Sequence, residues 1–205
     1  MVIVGNGTSH AIADGTLRRM FEERKRVFVD LLKWDLPVLA DRYEVDQFDT
    51  PHAVYILVTD DMRRHCGSAR LLPTNRPHIL DTIFPELCDE VTVGSTIMEI
   101  TRFCLSRHLS ACERRLTRNR LVSAFAEYAL LHGITTYIGV AEMRWFQQIL
   151  AFGWQCLPLS PPKRSGSATL ASFKINITTQ TIDQLRASGI YTPVKLHHLP
   201  IQDAA

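Results

Sequence analysis

Charged side chains recur in this sequence where charge is expensive. Glu99 and Arg102 lie within Ile97-Met98-Glu99-Ile100-Thr101-Arg102-Phe103-Cys104, a segment otherwise suited to a buried strand. Arg70 sits in Gly67-Ser68-Ala69-Arg70-Leu71-Leu72, and Asp46-Gln47-Phe48-Asp49 precedes the apolar run from Ala53 to Val58. Burying a lone charge costs several kcal/mol, so each of these groups needs a partner or a chemical task. A carboxylate beside a pocket and among apolar neighbours, such as Glu99, is a candidate general base. Arg70 and Arg102 are candidate partners that neutralise these acids in a structural network. Taken alone, Asp46 and Asp49 also suit turn and cap chemistry. Glu99 and Arg102 are three positions apart, so a regular strand sends them to opposite faces; a bulge, or a strand ending at a rim, is needed to aim both into one cleft.

A second constellation is Arg24, Phe28 and Trp34. It reads either as a helix stripe with one arginine lying along apolar surface, or as a small site whose aromatic faces meet a cationic or planar ligand while the arginine binds a carboxylate. Arg107, Arg114, Arg115, Arg118 and Arg120 crowd one segment against Glu113, either as a solvated helix face or as a docking patch for an acidic partner. Nucleic acid fits poorly, because the patch is short, carries no interleaved aromatics and belongs to a chain of net charge +2. His197-His198 reads as surface. No metal-ligand spacing, P-loop or dinucleotide glycine motif is present.

These groups need a scaffold. The 205 residues, 46% hydrophobic, suffice for one domain spanning 1–205 with its own core. Five cysteines without a C-x-x-C pair, no secretory signal and no apolar stretch of membrane-spanning length predict a soluble, cytoplasmic protein with reduced thiols. Apolar periodicity predicts a helix over 14–33, with Leu17, Met20, Phe21, Val27, Phe28 and Leu31 on its buried stripe. An irregular acidic loop is expected over 38–50, a hairpin of strands over 53–59 and 66–72, and a short helix over 80–88 with Phe84 inward. A strand over 97–104, a helix over 113–132 ending at Gly133, and a strand over 134–141 form a crossover unit. A helix over 142–152 ending at Gly153, strands over 154–159 and 168–178, and a last helix over 179–188 complete the order. Phe173, Ile175 and Ile177 should share one strand face. The economical architecture is α/β: a mixed sheet with helices on both faces.

In register, these segments resemble the acyl-homoserine-lactone synthases, the autoinducer synthases of the LuxI type. Arg24-x-x-x-Phe28-x-x-x-x-x-Trp34-Asp35 matches that family's opening motif, Asp46-x-x-Asp49 its second, and Gly67-Ser68-Ala69-Arg70-Leu71-Leu72-Pro73 its third, followed by a family-like Phe84-Pro85. Glu99-x-x-Arg102-Phe103 matches the fourth, and Gly153-Trp154 is also family-like; the similarity weakens after residue 104. Each motif alone is weak, whereas four in order and spacing are specific.

The resemblance implies a three-layer αβα fold with a mixed, splayed sheet, similar to the N-acetyltransferase superfamily. The ordinary acetyl-CoA pyrophosphate signature does not follow the 97–104 segment, which sets the chain apart from an ordinary acetyltransferase. The implied reaction transfers an acyl group from an acyl carrier protein or coenzyme A thioester to the amine of S-adenosylmethionine. Lactonisation and release of methylthioadenosine then yield a quorum-sensing signal, and no cofactor is needed. Glu99, Arg102, Asp46 and Asp49 would form the catalytic group; Arg24, Phe28, Trp34, Arg70 and Phe103 would bind S-adenosylmethionine. Phe84, Ile138, Val140 and Ala141 would line the acyl pocket. Ile138-Gly139-Val140-Ala141 has no hydroxyl, which speaks against a 3-oxo preference. Arg114, Arg115, Arg118, Lys163 and Arg164 would dock an acidic carrier protein. The competing expectations are another acyl-thioester N-acyltransferase, which releases no methylthioadenosine, and a non-catalytic binder of carrier protein or small ligands.

Overall fold

The computed structural model describes residues 1–6, 15–89 and 93–199. Two compact units share the chain: Met1–Arg70, Arg102–Ala124 and Val194–Ala205 in the first, Leu71–Thr101 and Phe125–Pro193 in the second.

In the first unit, β1 (Val2–Asn6) pairs antiparallel with β4 (Val54–Thr59) and parallel with β11 (Leu196–His198), and β5 (His65–Pro73) begins here beside β4. The unbroken Val-Ile-Val run of β1 and the Tyr55–Val58 run are buried throughout, as expected of strands with no solvent face. Helix α1 (Gly15–Arg24) buries Leu17, Met20 and Phe21, then widens into a π-helical turn over Lys25–Leu31. Asp14, where the sequence places the helix start, lies outside the described residues. The wider turn shifts the phase of the apolar stripe: Phe28 stays buried while Leu31 is exposed. The expected acidic loop contains a two-residue ladder, β2 (Val38–Leu39) with β3 (Tyr43–Glu44).

In the second unit, β6 (Ile97–Leu105, its first half) pairs parallel with β7 (Thr136–Glu142), the two joined through α3 (Ala111–His132). Strand β10 (Ala168–Asn176) lies antiparallel between β7 and β8 (Gln155–Pro158), with β9 (Lys163–Ser165) on its other end. Pairing is therefore mixed, as expected. The predicted helix over 80–88 divides into α2 (Ile79–Thr82) and a 3-10 turn at Pro85–Leu87, with Phe84 half-buried between them. Helix α4 is Met143–Leu150 and α5 is Thr181–Ala187. Gly133 (φ +67) holds the left-handed conformation that ends α3, whereas α4 stops at Leu150 with Ala151 as its cap, short of the expected stop at Gly153 (φ +97). Phe173, Ile175 and Ile177 are buried on one face of the last long strand and its extension.

Among the described residues, no helix is long and apolar enough to cross a membrane.

Candidate functional site

Three arginines and three acids of the first unit interlock. Arg24, the last α-helical residue of α1, donates Nε to Glu44 Oε2 at 2.5 Å and a two-pronged pair to Asp49, Nη1 to Oδ1 at 2.8 Å and Nη2 to Oδ2 at 2.9 Å. Arg70, on β5, donates Nη1 to Asp46 at 2.6 Å and lies 2.8 Å from Asp49. Arg102, on β6, donates Nη2 to Asp46 at 2.7 Å and Nε to Glu44 at 3.2 Å. Arg24, Arg70, Glu44 and Asp49 are almost wholly buried, and the side chain of Arg102 is 9% exposed. Opposite charges balance, so the cluster neutralises itself; truncating one member would leave its partners buried and uncompensated.

Local chemistry seats these groups. Asp46 accepts the Phe48 N–H at 2.9 Å and Asp49 accepts the Asp46 N–H at 2.8 Å, so the two acids close their own turn while reaching the arginines. Turn chemistry and ion pairing, alternatives in the sequence, are both realised. Gly67 allows β5 to approach closely: a Cβ there would lie 2.7 Å from the Thr117 methyl and 2.9 Å from Leu105 Cδ2. Arg102 has φ 52, a left-handed conformation uncommon for a side chain of its size. It is a local irregularity in β6, of the kind that breaks strict strand alternation.

The electrostatics follow from burial and partners. Burial opposes the Arg24 charge, but Asp49 and Glu44 outweigh it and hold the guanidinium above its usual range. Burial likewise works against the Asp49 anion, yet Arg24 and Arg70 keep its carboxyl well below the ordinary carboxylate range. Burial lowers Arg102, and the like charges of Arg70 and Arg24 reinforce the effect against Glu44. Arg102 Nη1 has no hydrogen-bond partner among the described residues, which leaves one guanidinium edge available to an anion.

Aromatic rings flank the cluster. Phe28 stacks on Trp34 at 5.0 Å between centroids and 21° between planes, and the Arg102 guanidinium carbon lies 5.7 Å from the Phe28 centroid. Trp34 is 38% exposed while Phe28 is buried, so the pair offers a π-face at the surface.

Glu99 belongs to the second unit. It is fully buried and accepts two backbone N–H bonds, from Ile79 to Oε2 at 2.7 Å and from Leu80 to Oε1 at 2.9 Å. The first turn of α2 thus holds its carboxylate in one orientation. Nearby in the chain, Phe84, Ile97 and Val140 pack against a buried cluster of Leu80, Leu87, Cys88 and Ile138. Strand alternation puts Ala141, in register with Ala171, on the face opposite Ile138 and Val140. Phe103 is half-buried on β6. Of the basic residues, Arg115, Lys163 and Arg164 are exposed. Arg114 donates to the Ser106 carbonyl at 3.1 Å, Arg118 to Asn119 Oδ1 at 2.9 Å, and Lys163 Nζ to the Glu86 carbonyl.

Sequence reasoning missed Glu44, two residues before Asp46 in the same acidic segment, and Tyr55, whose hydroxyl donates to Asp49 at 2.9 Å. Glu44 could have been found by counting: three arginines flagged for burial need a third acid.

The profile of the family described as "Autoinducer synthase" matches residues 9–185. The chain belongs to that family. It is 26% identical over 195 residues to the acyl-homoserine-lactone synthase of Agrobacterium fabrum, 92% of each chain being covered. It is 26% identical over 187 residues to the isovaleryl-homoserine lactone synthase of Bradyrhizobium diazoefficiens, covering 90% of this chain and 84% of that one. Among solved structures, the CoA-dependent acyl-homoserine lactone synthase BjaI, with SAM and isopentyl-CoA, superposes with a TM-score of 0.85 at 25% identity, over 99% of this chain and 95% of that one. An N-acetyltransferase from Lactobacillus plantarum shares the fold at a TM-score of 0.53 and 14% identity, over 87% of this chain and 98% of that one. The expected N-acetyltransferase-like fold therefore holds.

Proposed function

We infer that this autoinducer synthase is an acyl-homoserine-lactone synthase acting on S-adenosylmethionine and an acyl thioester. The observation that carries the reading is the interlocked cluster: Arg24, Asp46, Asp49, Arg70 and Arg102, drawn from all four motif segments, meet through Glu44 beside the Phe28–Trp34 stack. The relative named for isovaleryl-homoserine lactone and the BjaI complex with SAM and isopentyl-CoA support the substrate pair.

In this reading the free edge of Arg102 takes the methionine carboxylate, and the exposed face of Trp34 meets the sulfonium end. Arg24, Arg70, Asp46 and Asp49 hold that edge in place. The α-amine must first lose a proton, because only the neutral amine is nucleophilic, and the family resemblance gives Glu99 that task, directly or through water. Its lone pair attacks the thioester carbonyl, and the tetrahedral intermediate collapses to the amide as the thiol leaves. The carboxylate then attacks the γ-carbon, forming the lactone C–O bond while the C–S bond breaks and methylthioadenosine departs. Holding the two reacting ends together lowers that second barrier, since the step is intramolecular. Phe84, Ile138 and Val140 face the acyl chain.

The test is direct: incubate the protein with S-adenosylmethionine and panels of acyl-CoAs and acyl carrier proteins, and analyse by mass spectrometry. Acyl-homoserine lactone and methylthioadenosine should form in equal amounts. An N-acyl amine without methylthioadenosine would establish a different N-acyltransferase, and no product with any donor would leave a binding protein.

A further inference from the structure

The segment that carries Phe84, Leu87 and Cys88 is held by side chains. Its own backbone bonds are short-range, Leu87 N–H to the Phe84 carbonyl at 3.0 Å and Cys88 N–H to the Pro85 carbonyl at 3.3 Å. What fixes it against β10 is a pair of hydroxyls. Ser160 Oγ donates to the Leu87 carbonyl at 2.5 Å, and Ser172 Oγ donates to the same oxygen. Both serines are buried, at 7% and 1% exposure, and Lys163 Nζ adds a donor to the adjacent Glu86 carbonyl. A carbonyl oxygen has two lone pairs, so the two hydroxyls saturate it.

This clamp acts on the apolar wall. Ser172 is the register partner of Val140 across the β7–β10 ladder, and Leu159, next to Ser160, donates its N–H to the Ser172 carbonyl at 3.0 Å. Leu159, Val140 and Phe84 pack on the cluster that contains Leu87, Cys88 and Ile138. The hydroxyls therefore set how far the Phe84–Cys88 turn stands from Ile138 and Val140. Residues 138–141 of β7 lack a hydroxyl, but β10 supplies one on the face of Val140, with its proton already committed to Leu87.

We propose that Ser160 and Ser172 are specificity-positioning residues: by pinning Leu87 they fix the depth of the apolar wall and so the acyl chains the enzyme accepts. The inference rests on the synthase reading, which assigns that wall to the acyl chain. Releasing the turn lets it retreat and admits longer chains, because a pocket discriminates one methylene from the next by contact with its wall.

The experiment is a competition. The full chain, with S-adenosylmethionine and an equimolar mixture of butanoyl-, hexanoyl-, octanoyl- and dodecanoyl-CoA, is compared with S160A, S172A and the double variant. The ratio of long-chain to short-chain lactone should rise about tenfold in the double variant and by a smaller factor in each single variant, with KM for S-adenosylmethionine unchanged. A purely structural pin would lower Tm and leave that ratio untouched, which would overturn the proposal. The single variants keep one donor on the carbonyl and decide the matter if the double variant does not fold. Absence of any lactone from the wild-type chain, with these acyl-CoAs and with the matching acyl carrier proteins alike, would instead overturn the synthase reading itself.

Discussion

At the scale of residues, the acid–arginine cluster is governed by mutual compensation. Asp49 touches Arg24, Arg70 and Tyr55, so Asp49→Asn removes the charge that two buried guanidiniums face. We expect a loss of about 3–5 kcal/mol in denaturant unfolding. The folded-state pKa of Asp49 is depressed, so its contribution to stability is present above the unfolded value near ~3.9 and is lost as pH falls through the folded one. Wild-type stability should drop steeply in acid below about pH 4, and the Asn variant should show a shallower drop. Glu99→Gln tests the other unit: the side chain keeps its size but loses its basicity, and kcat should fall by about 10²–10⁴. Unchanged turnover would remove the general-base role.

At the scale of elements, Gly67 and His65 give β5 two separate sensitivities. Gly67→Ala drives a Cβ to 2.7 Å from the Thr117 methyl and 3.1 Å from the Cys104 carbonyl, and overpacking of this kind costs about 1–3 kcal/mol. Calorimetry should report a lower Tm, with activity following through the displaced Arg70. His65 is buried, with Nε2 2.9 Å from Ser68 Oγ; burial, partly offset by Glu23, pushes its pKa down to about 4 from 6.5. The fold disfavours the charged ring, so stability is full above the unfolded value and declines as pH falls from 6.5 to about 4, by about 3 kcal/mol in total. His65→Gln should be nearly flat across that window in a pH series of urea unfolding curves.

Elements also show what the sequence could disclose. The long periodic helix α3 and the strands with unbroken apolar runs were legible, because burial imposes their pattern directly. The π-helical turn after Arg24 was not. A one-residue widening leaves no compositional mark, yet it moves Leu31 off the stripe and keeps Phe28 on it. The three-residue strands β9 and β11 are too short to show a period, and β11 is defined only by its pairing with β1. In the site, motif residues were recognisable because a charge in an apolar run is conspicuous. Glu44 escaped because it is buried within an acidic segment that is otherwise mostly exposed or half-buried.

At the scale of the whole molecule, the surface chemistry bears on the donor. Arg114, Arg115 and Arg118 lie on one helix, α3, in a chain whose overall charge is only +2. Reversing all three to Glu should raise KM for an acyl carrier protein, with a marked dependence on ionic strength, and leave KM for acyl-CoA and S-adenosylmethionine in place. Equal KM values before and after reversal would assign the patch to solvation alone.

The ionic cradle has a timetable as well as a geometry. Glu44 is separated by 58 residues from Arg102, the third cation. On a ribosome adding about 5–20 residues per second, that gap lasts roughly 3–12 seconds. Until Arg70 emerges the acids face Arg24 alone, and from Arg70 to Arg102 the chain holds three acids against two guanidiniums, too few to bury. The ionic cluster can therefore close only after β6 has been synthesised, and chains cut short before Arg102 are natural prey for proteases.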